Sequence, residues 1–287
     1  MPPPTLVPLL HAGTALSPTS FSVHTSTVVG IAALAALYRW RASIGAREGQ
    51  PPIGRARPAL LAIALTVLFF SLNGWLHDLS DYYLFSAHMV QHLLLALVVA
   101  PLLIMATPGW MLRPALRSRA VAATARWVTS PLRAFAIFNV VLSAWHLPPL
   151  YNLAMAHHPI HIVQHLMFLV VSVLMWWPIL SPLPELPRLA YPLQMLYLFL
   201  MSIPMSVVAV YIAYADALLY PAYASAPRIW GISPMQDQQI GGLIMWIPGG
   251  LYFFAVISVI FFRWQQRDGD ESIAGAQVSV EHLPAAR

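Results

Sequence analysis

The feature that most limits what this chain can become is a set of long stretches without a single Asp, Glu, Lys or Arg. Residues 58–77, 82–112, 134–184, 189–215 and 238–262 are all of this kind. About 20 consecutive apolar residues suffice for a helix to cross the hydrocarbon core of a bilayer. Charged residues make up only 9% of the chain and hydrophobic ones 59%, against about 25% charged in a typical globular protein. The expected fold is all-α: a polytopic membrane protein whose helices face lipid and one another.

Taking the uncharged runs as helices gives a seven-transmembrane-helix bundle, with spans at about 20–40, 58–77, 83–107, 131–155, 158–180, 189–215 and 237–262. Pro101, Pro204, Pro248, Gly249 and Gly250 fall inside spans, where neighbouring helices can absorb kinks and close approach. The loops alternate in charge. Arg39, Arg41, Arg47, Arg55 and Arg57 follow the first span, Arg113, Arg117, Arg119, Arg126 and Arg133 the third, Arg188 the fifth, and Arg263 and Arg267 the seventh; the other set of loops holds only Arg228. Arginine-rich loops stay cytoplasmic, which predicts an amino terminus outside and a carboxyl terminus inside. The chain then divides into an extracytoplasmic segment 1–19, a membrane domain 20–264 and a disordered cytoplasmic tail 265–287. The first 20 residues lack a basic region ahead of a sustained apolar run, so no cleaved signal peptide is expected. The stretch GWMLRPALRSRAVAATARWV at 109–128 reads either as an amphipathic surface helix or as a plain basic loop.

The net charge of +5 does not imply a nucleic-acid partner, because membrane topology already accounts for the arginines. All 15 basic residues are arginine, a bias expected of a GC-rich genome. The absence of cysteine excludes disulfides, iron–sulfur ligation and cysteine copper sites.

Within this frame the histidines fall on one side. His77 ends the second span, His88 and His92 open the third, His146 ends the fourth, and His157, His158, His161 and His165 open the fifth. All eight belong to the outer half; His11, His24 and His282 lie near the termini and carry less weight. HMVQH at 88–92 and HIVQH at 161–165 are near-copies that enter the membrane in the same direction. Residues four apart share one helix face, so each pair can turn two imidazoles towards one metal ion. Gln91 and Gln164 are placed to hold an imidazole by a hydrogen bond. A lone interfacial histidine is usually an amphipathic anchor, but ionisable side chains within spans are costly and point to function. The sequences N-G-W-L-H (Asn73–His77) and S-A-W-H (Ser143–His146) ahead of the motifs suggest repeated hairpins around one pseudo-symmetric centre. In MQDQQIGGLIMWIPGG at 235–250, Asp237 is a candidate ligand or histidine orienter, as is Asp78. Met245 is a soft donor suited to Cu(I) but more often a packing residue.

The chemistry narrows by elimination. Stacked haems need histidines in both leaflets, and here each pair sits in one. A membrane di-iron oxygenase faces the cytoplasm and uses acidic ligands, which the spans lack. A zinc protease needs glutamate directly after the first histidine of its motif, where this chain has Met89 or Ile162. Copper handling on the outer face fits the His, Met and Asp inventory best, a copper transport and resistance protein among the readings; a membrane di-iron oxygenase or haem protein stays as the further alternative.

HMVQHLLLALVVAPLLIMATP, WHLPPLYNLAMAHHPIHIVQHLMFLVVSVLMWWPIL and DQQIGGLIMWIPGGLYF, in this order and spacing, resemble the CtaG family of bacterial cytochrome c oxidase assembly factors over Gly74 to Phe262. The resemblance implies a seven-span protein of the bacterial plasma membrane that is not an enzyme. It would serve the oxidase copper centres with oxidase subunits or an extracytoplasmic copper chaperone as partners. The family pattern includes His88, His92, His146, His161 and His165; together with the residue reading, a copper ion is expected at His88, His92, His161 and His165, with His77 and His146 as additional or transfer ligands. Trp177 and Asp237 also match the family pattern, whereas Gln164 stands where glutamate is common.

Overall fold

The computed structural model describes residues 21–281, with side chains through residue 268. The expected 1–19 segment and the tail beyond Glu281 lie outside the described residues. Among those described there are helices and turns and no strand. Helices α1 (Thr25–Arg47), α2 (Ala56–Leu72), α3 (Gly74–Tyr82), α4 (Phe85–Leu93) and α5 (Ala100–Ala106) come first; α4 and α5 are joined by a π-helical stretch, Leu94–Val99. Then follow α6 (Gly109–Leu112), a 3₁₀ turn (Arg113–Arg117), α7 (Arg119–Val128), α8 (Pro131–His146), α9 (Pro148–Ala156), α10 (His158–Leu180) and α11 (Tyr191–Ala213). A 3₁₀ turn (Pro221–Tyr223) precedes the last helix, α12 (Pro234–Glu281).

Five helical units are long and apolar enough to cross a membrane: Ala56–Tyr82, Phe85–Ala106, His158–Leu180, Tyr191–Ala213 and Pro234–Asp268. The bent pair α7–α8, with 72° between its helices, adds a sixth if counted as one. The protein is thus a multi-pass membrane protein. Helix α1 falls outside this set; its second half carries Tyr38, Arg39, Trp40 and Arg41.

The departures from the expected spans have physical causes. The second breaks at Asn73, whose backbone is extended, and resumes at Gly74 with φ +68°. Segment 21–24 docks into the break: the Gly74 amide donates to Ser22 O (2.8 Å) and the His24 amide to Asn73 Oδ1 (2.7 Å). A side chain at Gly74 would need the left-handed backbone and would also collide with the Phe21 ring. The span expected over 131–155 stops at His146, because Pro148 and Pro149 restart the chain as the separate α9. The stretch 109–128 is helical, and α7 sets Val121 and Trp127 on its exposed surface.

The third expected span contains the π stretch. There the Ala100 amide reaches back five residues to Leu95 O. Trp176 of α10 donates its indole N–H to the carbonyl of Ala96, at 2.8 Å. A π turn inside an α-helix often marks a functional site, and this one begins two residues after HMVQH.

The main core runs the length of the bundle between α4, α5, α8, α10, α11 and α12, with Phe85, Met89, Phe138, Phe168, Met175, Trp176, Met201 and Phe253 at its centre. Helices α11 and α12 form the most extensive pair. Neighbours come close to α12 at its glycines: Gly241 seats the Phe85 ring and Gly242 the backbone of α11. Leucines, valines and phenylalanines cover the outside, as a lipid-facing surface requires.

Candidate metal centre

Both motifs point into the same space. His88 of α4 and His161 and His165 of α10 each offer an imidazole nitrogen, and these three atoms lie within 4.8 Å of one another. All three residues are buried. The His88 ring lies 5.2 Å from that of His161 and 5.4 Å from that of His165, and the His92 ring is also 5.4 Å from that of His165. The two near-copies therefore meet side by side, with His165 between both members of the first.

The flanks are not matched. His146, at the end of α8, donates its Nδ1 proton to Leu142 O at 2.7 Å. Its Nε2 keeps a free lone pair, and its ring lies 5.8 Å from that of His92. His77 sits at the opposite side, 6.4 Å ring to ring from His161. Its Nδ1 is 3.2 Å from the Gln91 amide, and its Nε2 is 3.3 Å from Asp81 Oδ2. Both His77 nitrogens thus face protein groups. Asp81 Oδ2 is also 3.6 Å from His161 Nδ1, so one carboxylate stands between two imidazoles.

Asp81 is the acidic residue beside the imidazoles, more directly than the candidates Asp78 and Asp237. Asp78 accepts a hydrogen bond from the Ser22 hydroxyl. Asp237 accepts from the Phe85 amide (2.6 Å), the Ser86 amide (3.1 Å) and the Ser86 hydroxyl (2.5 Å). It is a cap on α4 supplied by α12, where a carboxylate satisfies the unpaired amides of a helix start. It supports His88 and His92 through their helix. Gln91 donates to Ser71 O at 2.5 Å as well as facing His77. Gln164 is fully buried, and neither its amide nor its carbonyl meets a partner. Met245 packs in the apolar core. Trp176, not the half-buried Trp177, ties α10 to the π stretch.

Two histidines given little weight in the sequence extend the cluster. The His24 ring lies 4.3 Å from that of His77 and 5.7 Å from that of His158. The imidazoles form a column: His158, His24, His77, His161, then the trio with His165 and His88, and finally His92 and His146. Burial rises along it from half-exposed to almost complete. A cover of tyrosines closes one side. The Tyr223 hydroxyl donates to Ser80 O (2.7 Å), so at its 2.9 Å contact with Tyr151 it accepts the Tyr151 proton. Burial pushes both phenols well above their ordinary range, so they stay neutral donors. Tyr151 in turn lies against His88, 5.2 Å between rings.

The donor set fits a metal ion. His88 and His92 leave Nδ1, and His146, His161 and His165 leave Nε2, buried without a hydrogen-bond partner. Each unsatisfied buried polar group costs about 1–3 kcal/mol, and coordination would satisfy those that reach the ion. Imidazoles without thiolates suit copper, zinc, iron or nickel.

A multi-span helical membrane protein with an imidazole cluster buried at one end of its spans is the class that this fold and site define. The chain belongs to the cytochrome c oxidase caa3 assembly factor family (Caa3_CtaG), whose model matches residues 15–267. It is 27% identical over 210 residues to an uncharacterised protein of Mycobacterium bovis and, with the same figures, to one of Mycobacterium tuberculosis; the match covers 64% of this chain and 30% of each relative. An uncharacterised protein of Mycobacterium leprae is 26% identical over 264 residues, covering 85% of this chain and 38% of its own. The chain thus spans less than two fifths of the length of these curated relatives. No solved structure matches it.

Proposed function

We propose that this protein crosses the bacterial plasma membrane seven times, α1 being the first span, with its amino terminus outside. On its outer side it holds a copper ion for the maturation of cytochrome c oxidase. His88, His161 and His165 are the ligands at the centre. His92 and His146 lie next to them, and His77 and Asp81 hold His161 in place. The observation that carries this reading is the convergence of both HxVQH motifs on one set of nitrogens within 4.8 Å. The apolar surface of α1, where Val28, Val29, Leu34 and Leu37 are exposed, supports its place in the bilayer, and the arginine asymmetry of the loops supports the orientation.

Copper is preferred among imidazole metals because the family is one of cytochrome c oxidase assembly factors, which the resemblance ties to copper centres, and because the group of converging ligand atoms is made of histidines alone. The protein acts as a carrier: the column from His158 inward offers successive imidazoles to an ion arriving from an oxidase subunit or an extracytoplasmic chaperone, or leaving for one. When bound, the ion supplies the cargo; the chain's residues orient the ligands and exclude water.

The test is metal content. Protein purified from copper-supplemented membranes is expected to carry copper, and the double change His88→Ala with His165→Ala to abolish it. Unchanged copper in that variant would sink the site.

A further inference from the structure

At the end of the bundle opposite the imidazoles, α10 stops at Leu180 and a proline-rich loop leads into α11. Pro182 has no amide proton, so the Pro178 carbonyl lacks the partner that another helical turn would supply. The Leu189 amide takes that place at 2.8 Å, which folds the loop back onto the end of α10. Gln194 fastens it again by donating to Leu189 O at 2.7 Å. Arg188 is fixed by the same turn, its Nε donating to Ser181 O at 2.7 Å. Its two terminal nitrogens have no protein partner among the described residues. The loop's only carboxylate, Glu185, is taken by Arg113 Nε at 2.9 Å.

Arg188 lines two adjoining cavities, and so does Arg263 of α12; Arg267 also lines the first and Arg57 the second. Among the described residues none of Arg57, Arg188 and Arg263 pairs with a carboxylate. The one acidic residue lining either cavity is Asp268, which is exposed. On α12, Val256, Ile260, Arg263 and Arg267 follow at steps of three or four, so one helix face turns from apolar to cationic within about 16 Å. Trp176 and Ile179 of α10 continue the apolar part, and the Trp176 indole N–H is already spent on Ala96 O. Tyr191 and Trp264 stand beside the arginines, as aromatic side chains do at the level of lipid headgroups.

What fills such a site has to bring hydrocarbon and negative charge together. A soluble anion would leave the apolar walls bare. A zwitterionic lipid would set its own cation among guanidiniums. We propose that the first cavity binds an anionic phospholipid, its phosphate held by the forked guanidinium of Arg188 and by Arg263, with acyl chains against Trp176, Ile179 and Val256. The site rests on the multi-pass fold and uses no residue of the metal centre; the orientation proposed above puts it in the inner leaflet.

The test is lipid binding to the full-length protein, stripped of lipid in detergent and titrated under native mass spectrometry. Phosphatidylglycerol is expected to bind saturably and more tightly than phosphatidylcholine with the same acyl chains, and inorganic phosphate to leave it in place. The double change Arg188→Gln with Arg263→Gln should weaken phosphatidylglycerol roughly thirtyfold. Arg117→Gln with Arg126→Gln removes the same charge from exposed positions that line neither cavity and should leave binding unchanged. Arg263 has no protein partner among the described residues, so Arg263→Gln alone, expected to weaken binding about fivefold, keeps the test open if the double variant misfolds. Equal losses in the two double variants would reduce the effect to general surface charge and overturn the site. So would phosphatidylcholine binding as tightly, displacement by inorganic phosphate, which marks a soluble-anion site, or no saturable lipid at all, which leaves the cleft to a protein partner.

Discussion

HMVQH and HIVQH share four of five residues, yet their surroundings differ at nearly every position. In the first, His88 and His92 are hydrogen-bonded to each other, Nε2 to Nε2 at 2.8 Å. Gln91 is anchored to Ser71 and His77, and Asp237 caps the helix. In the second, the His161 and His165 Nε2 atoms have no partner, and neither does any polar atom of Gln164. The first motif leaves its two Nδ1 atoms and the Gln91 carbonyl unpaired but is otherwise tied to protein; the second leaves both Nε2 atoms and the whole Gln164 amide unpaired. Duplicated sequence has produced a fixed wall and an open one, and the difference lies in what α2, α3 and α12 bring to the first.

That contrast can be broken by experiment. If α10 supplies the open ligands, His165→Ala should weaken copper binding by roughly a hundredfold or more. His92→Ala, which removes a residue bonded to a ligand, should weaken it by about tenfold. Isothermal titration with Cu(I) under a competing chelator would rank them, and equal losses would erase the distinction. Asp237→Asn should come next, lowering stability by about 1–2 kcal/mol through the lost charged cap, with a smaller drop in copper affinity as α4 loosens. Thermal unfolding in detergent measures the first part. The glutamines should separate too: Gln91→Leu should cost about 1 kcal/mol by stranding Ser71 O and His77, whereas Gln164→Leu, the smallest effect, should be neutral or slightly stabilising. A large loss at Gln164 would show that its amide is engaged in the loaded protein.

The sequence predicts α10 at 158–180, as observed, because Pro159 suits a helix start and Pro182 and Pro184 follow its end, and both limits are local. Family membership was also legible, since the motifs carry it. The break at Asn73 was not, because it depends on segment 21–24 folding back from a distance. Asp81 is a related case: the uncharged run that marks the second span ends at His77, whereas α3 continues to Tyr82 and puts Asp81 one turn from His77. The i,i+4 spacing that identified the histidine pairs would have found it. His24 joins the cluster only through the same docking. Asp237 stands out in the sequence as a candidate ligand or histidine orienter, whereas in the fold its carboxylate caps α4, a contact across 151 or 152 residues of chain that spacing cannot show.

The widened turn at Leu94–Val99 has an evolutionary consequence. A π turn accommodates one residue more than an α turn, which shifts the phase of everything beyond it by about 100°. The direction in which His88 and His92 point is thus set partly below the motif, at a seam whose displaced carbonyl Trp176 occupies. A lineage that gained or lost a single residue there could re-aim two imidazoles while every letter of HMVQH stayed the same.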